Sequence, residues 1–152
     1  MPQHKYLFRR ATPEDADAIR DLVHAAYAKW VDLIHREPLP MRTDYRQAVT
    51  AHQIDLLYDD NDLVALIEMI PAVDHLLIEN VAVRPSAQGA GYGRLLMRHA
   101  DLLAQSMGLP GVRLYTNALF TENIRFYRRL GYRVDREEPF LGGAVVHMSK
   151  TV

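Results

Sequence analysis

Apolar residues repeat along this 152-residue chain with two different spacings, which together predict seven strands and four helices. Spacings of three to four residues predict helices, and short apolar runs between turn residues predict strands. The predicted order is strand, two helices, three strands, helix, strand, helix, two strands. The predicted strands cover residues 5–10, 54–58, 63–70, 75–83, 112–116, 132–136 and 145–149.

Residues typical of helix starts and hairpin turns bound the first half of this pattern. The first helix begins at Thr12 and Pro13, a hydroxyl cap followed by proline in the first turn, and its apolar face runs from Ile19 to Trp30. A second helix is expected over about 43–52. The polar cluster at 59–62 predicts a hairpin turn between two strands.

The last two helices have equally clear ends. The third follows a glycine-rich turn and stops at Gly108. The fourth is expected to be capped by Thr121 and to end before Gly131. We expect the third helix to bury one face, made of Leu95, Leu96, His99, Leu102, Leu103 and Met107.

Three consecutive strands and two crossover helices predict a mixed α+β sheet, not a doubly wound one. The length suits one domain over residues 1–152, and the chain contains no repeat, low-complexity tract or linker. The net charge of −1 argues against nucleic acid as a partner. No cysteine is present, and the seven histidines lack ligand-like spacing, so no metal site is expected.

The N-terminal residues and the apolar runs bear on location. The first ten residues lack the apolar core of a signal peptide, and no apolar run approaches the ~20 residues that span a bilayer. The chain is therefore expected to be cytoplasmic, without a membrane partner.

The apolar run at 75–83 is typical of a central strand covered on both faces, although Glu79 and Asn80 interrupt it. Buried polar groups in such a strand are costly unless they are paired or used.

A turn with glycine at alternate positions follows this strand and opens a helix, an arrangement that favours an anion. Gly93 is followed by Arg94 and Leu95, so the Walker signature is absent, and a dinucleotide fingerprint would need a small residue at 94 and an early strand. A plain connection between a strand and a helix is the alternative. The turn consists of Gln88, Gly89, Ala90, Gly91, Tyr92 and Gly93.

These residues resemble the Q/R-x-x-G-x-G/A signature of the GNAT superfamily of acyl-CoA-dependent N-acyltransferases. The block from Tyr115 to Tyr132 resembles that family's second conserved segment, and the element order agrees over nearly the whole chain. The segment at 37–41, with Asp44 and Tyr45, resembles a bacterial subgroup of these enzymes. The resemblance implies a mostly antiparallel sheet of six to seven strands with splayed central strands, flanked by four helices.

The resemblance also implies acetyl-CoA as the cofactor. Backbone groups of Val81, Ala82 and Val83 would pair with the pantetheine arm. Asn117 and Asn123 would bind the cofactor farther along the chain, with Asn123 helping to splay the strands. The diphosphate would be held by the amides of Gln88, Gly89, Ala90, Gly91, Tyr92, Gly93 and Arg94.

Acetyl transfer to an amine needs a base, an oxyanion site and an acid. Tyr127 would protonate the leaving thiolate, and the Val81 amide would stabilise the oxyanion. Glu79 is the candidate base, acting through water, with His75 the weaker contender. The spacing of Tyr127 also fits a core aromatic, and Glu79 also fits a structural ion pair.

The expected function is direct transfer of an acetyl group to a primary amine of a small molecule. Protein or peptide amines, a non-catalytic acyl-CoA sensor and a nucleotide-binding regulatory domain are the alternatives. Family members are often dimers, and nothing in this sequence decides whether this chain forms one. The acceptor wall is expected to include Tyr27, Trp30, Arg36, Glu37, Met41, Asp44 and Tyr45, for each of which loop packing is the alternative.

Overall fold

The computed structural model describes residues 5–152 and contains the seven strands and four helices in the predicted order. None of these helices is long and apolar enough to cross a bilayer. The strands are β1 (Tyr6–Arg10), β2 (Gln53–Asp59), β3 (Asp62–Pro71), β4 (Leu76–Val83), β5 (Gly111–Asn117), β6 (Arg133–Phe140) and β7 (Gly143–Thr151). The helices are α1 (Ala16–Ile34), α2 (Tyr45–Ala51), α3 (Tyr92–Ser106) and α4 (Thr121–Arg129).

The strands form one mixed sheet in the order β1-β2-β3-β4-β5-β7-β6. Antiparallel pairing joins β1 to β2, β2 to β3, β5 to β7 and β7 to β6. The β4–β5 pair is parallel, with Leu76–Ile78 opposite Val112–Leu114. The predicted α+β class is therefore confirmed. The single domain over 1–152 stays a prediction, because the contacts divide the chain into two compact units.

The first unit comprises the residues up to Met69 together with Asn80–His99. Asp60 and Asn61 have φ values of 49° and 75°, and they form the predicted polar turn between β2 and β3. Apolar residues of α1, α2, β2 and β3 form its core. The core members are Ala11, Ala16, Ile19, Leu22, Val23, Ala26, Tyr45, Ala48, Val49, Ile54, Leu56, Leu66 and Ala82.

The second unit comprises Ile70–Glu79 and Ala100–Val152. A two-residue turn at Leu141 and Gly142, with φ values of 48° and 79°, joins β6 to β7. The buried residues of β4 and β5 in this unit alternate along their strands, as expected for one packed sheet face. These residues are Leu76, Ile78, Val112 and Leu114. Burial in β7 does not alternate: Val145 and Val146 are both buried, and so are Met148 and Ser149.

Three helix starts differ from the sequence prediction. A 3₁₀ turn, Pro13–Asp15, precedes α1, and the Thr12 amide donates to the Asp15 carboxylate over 2.8 Å. Asp44 caps α2 by accepting from the Arg46 amide at 3.0 Å. The prediction that Thr121 caps α4 is wrong, because the cap position is Phe120 and Thr121 is the first helical residue.

The predicted apolar face of α3 is only partly right. Leu96, Met97, Ala100 and Ala104 are buried, whereas Leu102 and Met107 are exposed. The prediction favoured large side chains, but the alanines lie at four-residue intervals from Leu96 and therefore share its face.

Strand β4 is not covered on both faces, contrary to the prediction from its apolar run. Its residues alternate strictly between buried and half-buried along the whole strand. Asn80 faces the buried side, and Glu79 faces the half-exposed side. The two polar residues in the middle of this strand therefore have different environments.

Candidate functional site

The glycine turn of the first unit has the geometry that an anion site requires. After β4, a 3₁₀ turn at Pro85–Ala87 leads to Gly89 and Gly91, whose φ values are +86° and +90°. L-residues rarely adopt such angles, so both positions need glycine. A Cβ atom added to either glycine would meet nothing within 4 Å, which leaves space above the turn for a ligand. Gly93 already lies in the first turn of α3, and its φ is not positive.

Backbone amides at the start of α3 have no intrahelical acceptor, because the first four N–H groups of any helix lack one. The Leu95 amide is the first to bond within the helix, to the Gly91 carbonyl at 3.3 Å. The Gln88 amide donates to the Pro85 carbonyl at 3.3 Å. The backbone amide of Gln88, one of those predicted to hold phosphate, is therefore already bonded within the turn.

A cation from α1 reaches this turn, which the sequence did not indicate. The Lys29 ammonium donates to the Gln88 side-chain oxygen at 3.3 Å. The Gln88 side-chain nitrogen, Nε2, donates to the Val83 carbonyl at 3.2 Å. Lys29 also lies over the Trp30 ring, 4.8 Å from its centroid. No sequence signal could place Lys29 here, because 59 residues separate it from Gln88.

The buried Asn80 side chain is satisfied by a hydrogen-bond network in the first unit. The Tyr27 hydroxyl donates to Asn80 Oδ1 at 2.8 Å and lies 3.1 Å from the Val81 carbonyl. Asn80 Nδ2 donates to the Tyr45 hydroxyl at 3.2 Å, and that hydroxyl donates to the Pro40 carbonyl at 2.6 Å. Helix α1, strand β4 and the loop before α2 are thereby joined through Asn80, next to Val81.

The loop between α1 and α2 is held by several side chains. Leu39–Arg42 form a 3₁₀ turn, and His24 Nε2 lies 2.7 Å from the Met41 carbonyl. The Thr43 hydroxyl donates to the Leu39 carbonyl at 3.2 Å. The loop is therefore a fixed wall rather than a loose segment.

Residues predicted for the acceptor wall differ in how far they can meet a ligand. Tyr45 is 3% exposed and belongs to the core, so it contacts the loop from its buried side. Asp44 is occupied as the cap of α2. Glu37 is exposed, whereas the remaining wall residues are half-buried. These half-buried residues are Tyr27, Trp30, Arg36 and Met41.

Two side chains of α3 tie it to carboxylates of β2. The Tyr92 hydroxyl donates to Asp59, and this contact raises the pKa of Tyr92 to about 12. His99 is the last residue of α3 in the first unit; its Nε2 lies 2.7 Å from Asp55, and its ring stacks on Phe8 with centroids 3.8 Å apart. These contacts fix the direction in which the start of the helix points.

In the second unit, Tyr127 lies on the inner face of α4 and is 9% exposed. The rings of Phe126 and Tyr132 pack against it, with centroids 5.4 and 5.9 Å away. Burial raises the pKa of Tyr127 to about 12, so the phenol is protonated at neutral pH. It has the protonation state that an acid needs.

The two asparagines predicted to bind the cofactor lie near the start of α4. Asn117 ends β5, and its side-chain oxygen accepts from the Leu119 amide at 2.9 Å. This contact forms a turn between β5 and α4. Asn123 is half-buried in the first turn of the helix.

Glu79 has a tyrosine partner that the sequence prediction missed. The Tyr115 hydroxyl, from the neighbouring β5, donates to Glu79 Oε1 at 2.8 Å. His75, the weaker contender for the base, lies 2.7 Å from Asp74 instead. Tyr115 is the first residue of the block from Tyr115 to Tyr132 described above. Only the pairing of β4 with β5 shows that its side chain meets Glu79.

Comparison with known proteins identifies the family. Residues 51–134 match the model of the acetyltransferase (GNAT) domain. The chain belongs to the GNAT family. The matched stretch contains the glycine turn, α3 and α4 with Tyr127, whereas the residues expected to form the acceptor wall precede it.

Curated relatives of this GNAT protein are similar over short stretches. It is 40% identical over 62 residues to mycothiol acetyltransferase of Pseudarthrobacter chlorophenolicus, a stretch that covers 41% of this chain and 19% of that protein. Streptothricin acetyltransferase of Streptomyces lavendulae is 39% identical over 57 residues, or 38% of this chain and 30% of that protein. The chain thus spans less than a third of the length of these relatives.

Solved structures share the GNAT fold over nearly the whole chain. The PaiA N-acetyltransferase of Thermoplasma acidophilum, solved with coenzyme A, gives a TM-score of 0.83 at 16% identity, covering 97% of this chain and 99% of that one. The ribosomal-protein-S18-alanine N-acetyltransferase of Escherichia coli gives 0.74 at 17% identity, covering 97% and 94%. At these identities the likeness shows the fold alone.

Proposed function

We propose that this protein transfers the acetyl group of acetyl-CoA directly to a primary amine of a small molecule. The observation that carries the proposal is the exposed turn with left-handed Gly89 and Gly91 at the start of α3, within the stretch that matches the GNAT family. Amides that lack an intrahelical acceptor, together with the helix dipole, favour a diphosphate ester.

The cofactor would be held by backbone groups of β4 and of the turn. Amides from Gly89 to Arg94 would bind the diphosphate, and Lys29 would add a charge at the same turn. Val81 and Val83 would pair with the pantetheine arm, as an added strand does. The Val81 and Val83 carbonyls accept from Tyr27 and Gln88, which fixes the backbone that presents the Val81 amide.

The chemistry would use three groups. Glu79, through water, would take a proton from the substrate ammonium, and the neutral amine would then attack the thioester carbonyl. The Val81 amide would stabilise the oxyanion. Collapse of the tetrahedral intermediate breaks the carbon–sulfur bond, and Tyr127 would donate its phenolic proton to the departing thiolate. The attacking nitrogen would lose its second proton to water, and water would return a proton to Tyr127. The C–N bond replaces the C–S bond, and free coenzyme A leaves.

A small-molecule acceptor is supported by two observations. Two of the similar curated proteins are named mycothiol acetyltransferase and streptothricin acetyltransferase, after small molecules. The loop at 38–42 is held by Tyr45, His24 and Thr43, and such a fixed wall suits a closed pocket better than an open groove for a polypeptide.

Release of free thiol from acetyl-CoA over a panel of amines tests this function. The panel would contain polyamines, aminoglycosides, streptothricin, amino acids and short peptides with free N-termini. We expect amine-dependent thiol release with at least one small amine, matched by the mass of its acetylated product. Coenzyme A binding without any turnover would favour a sensor, and turnover of peptides alone would replace the proposed acceptor.

A further inference from the structure

A row of polar side chains crosses four strands of the second unit. The Tyr115 hydroxyl donates to Glu79 at 2.8 Å, and the Tyr115 ring packs against the His147 ring with centroids 5.9 Å apart. His147 Nε2 in turn lies 3.3 Å from Glu138. Strands β4, β5, β7 and β6, each bonded to the next, contribute one member apiece.

Sheet register accounts for this alignment. Tyr115 and His147 are direct partners in the antiparallel β5–β7 pair, so their side chains emerge on the same face. A register shift in β6 after Val134 places Arg136 opposite His147. Arg136 Nη1 also donates to Glu138 at 3.0 Å, and the hydrogen bonds with Arg136 and His147 hold the pKa of Glu138 below its usual range. The end of the row is therefore a fixed ion pair.

We propose that Tyr115 is a positioning residue for the base Glu79, and that His147, anchored by Glu138, holds the Tyr115 ring in place. The inference rests on the proposed function, in which Glu79 takes the proton of the acceptor amine. It gives Tyr115, the first residue of the block from Tyr115 to Tyr132, a role beside Glu79 in this chain.

The physical reason lies in the direction of the hydrogen bond. A hydroxyl that donates to a carboxylate stabilises the ionised form, which is the form that acts as a base. The bond also fixes one carboxylate oxygen, so the other has a defined orientation toward the proton it must take. A carboxylate held in this way remains a base at lower pH than a freely rotating one.

Other charged groups also lie on this side of the sheet. In the row described above, Tyr115 contacts His147, and Arg136 and Glu138 follow beyond His147. At the other end of the paired segment, Arg113 and His75 contact Asp74, at 3.7 and 2.7 Å. Tyr115 itself donates a hydrogen bond to Glu79, so its removal acts on Glu79 without an intermediary.

Tyr115→Phe removes the donated bond while keeping the ring that packs on His147. We expect the Glu79 carboxyl, followed by carbon-13 NMR in protein labelled at glutamate Cδ, to titrate about one pH unit higher in this variant. That shift corresponds to about a tenfold change, typical of a hydrogen bond to a charged group. The acid limb of kcat/KM should move by the same amount, with the KM for acetyl-CoA within twofold of wild type.

Three variants frame the measurement. Glu79→Gln assigns the resonance and should abolish the acid limb. Tyr58→Phe is the matched control, because it also removes one hydroxyl partner, that of Arg9 at 2.8 Å, and should leave the Glu79 titration unchanged. His147→Gln loosens the Tyr115 ring and should give a smaller shift in the same direction.

Each outcome supports or overturns the inference separately from the proposed function. An unmoved Glu79 titration and acid limb in folded Tyr115→Phe overturns the role of Tyr115 while leaving acetyl transfer intact. A wild-type acid limb in Glu79→Gln shows that another group is the base, which also overturns it. Absence of turnover with every amine overturns the proposed function, and the role of Tyr115 falls with it.

Discussion

Replacing Gly91 with alanine perturbs the proposed diphosphate site with little other change. Gly91 has a φ of +90°, and a Cβ atom there meets nothing within 4 Å. The substitution therefore introduces no clash in the free protein, only the backbone penalty of about 1–2 kcal/mol for a left-handed L-residue. That energy corresponds to a factor of roughly 5–30 in an equilibrium constant.

Coenzyme A affinity should fall by about 5–30-fold in Gly91→Ala, for either of two reasons. If the exposed turn relaxes, binding must restore it against the backbone penalty. If the turn persists, the new methyl group projects into the open space where the diphosphate must approach the amides closely. Isothermal titration calorimetry with coenzyme A measures the loss.

Gly108→Ala is the matched control for this experiment. Gly108 follows α3, has a φ of +71°, and likewise has nothing within 4 Å of an added Cβ. The backbone penalty is the same, so the free energy of unfolding should fall by about 1–2 kcal/mol. Coenzyme A affinity should stay at the wild-type value. Wild-type affinity in folded Gly91→Ala would refute the reasoning, because the ligand would then not depend on this turn.

The remaining predictions concern single side chains. Tyr127→Phe should lower kcat by one or more orders of magnitude with little change in acetyl-CoA affinity; an unchanged kcat removes Tyr127 from the mechanism. Because the pKa of Tyr127 is raised to about 12, the folded state keeps a proton that the unfolded chain loses near pH 10. The free energy of unfolding should therefore fall by about 1.4 kcal/mol per pH unit from pH 10 to 12, and less steeply in Tyr127→Phe by urea titration. Tyr45→Phe should lower the free energy of unfolding by about 1–3 kcal/mol, because Asn80 loses its acceptor. Tyr132→Phe should be neutral or stabilising, since the described residues offer its buried hydroxyl no partner. Equal effects of the two substitutions would contradict this. Lys29→Ala should weaken coenzyme A binding and flatten its salt dependence in calorimetry at two ionic strengths, and an unchanged salt dependence would exclude Lys29 from the site.

Local signals were sufficient for the element order and for the turn. Glycines at alternate positions between an apolar strand and an amphipathic helix predicted the anion site, and the structure gives Gly89 and Gly91 the left-handed angles that require glycine. The polar cluster at 59–62 likewise predicted a hairpin. Such features depend on a few neighbouring residues, so a single sequence contains them.

Features that depend on tertiary contacts could not be read in this way. Asn80 was visible as a polar residue in an apolar strand, but its partners Tyr27 and Tyr45 come from two helices far away in the chain. The buried face of α3 was misjudged because alanine carries little hydrophobic signal, although its small size lets a helix pack closely. Tyr115 and Lys29 meet their partners only after the sheet and α1 have formed.

The central claim is that backbone amides of the turn from Gly89 to Arg94 bind the diphosphate of coenzyme A. Amide chemical shifts of nitrogen-15-labelled protein, followed during a titration with coenzyme A, test it most directly. The account predicts saturable shifts that are largest for Gly89, Gly91 and the first residues of α3. Pantetheine, which lacks the diphosphate, should not reproduce these shifts. Shifts confined to other residues, or none at millimolar coenzyme A, would contradict it.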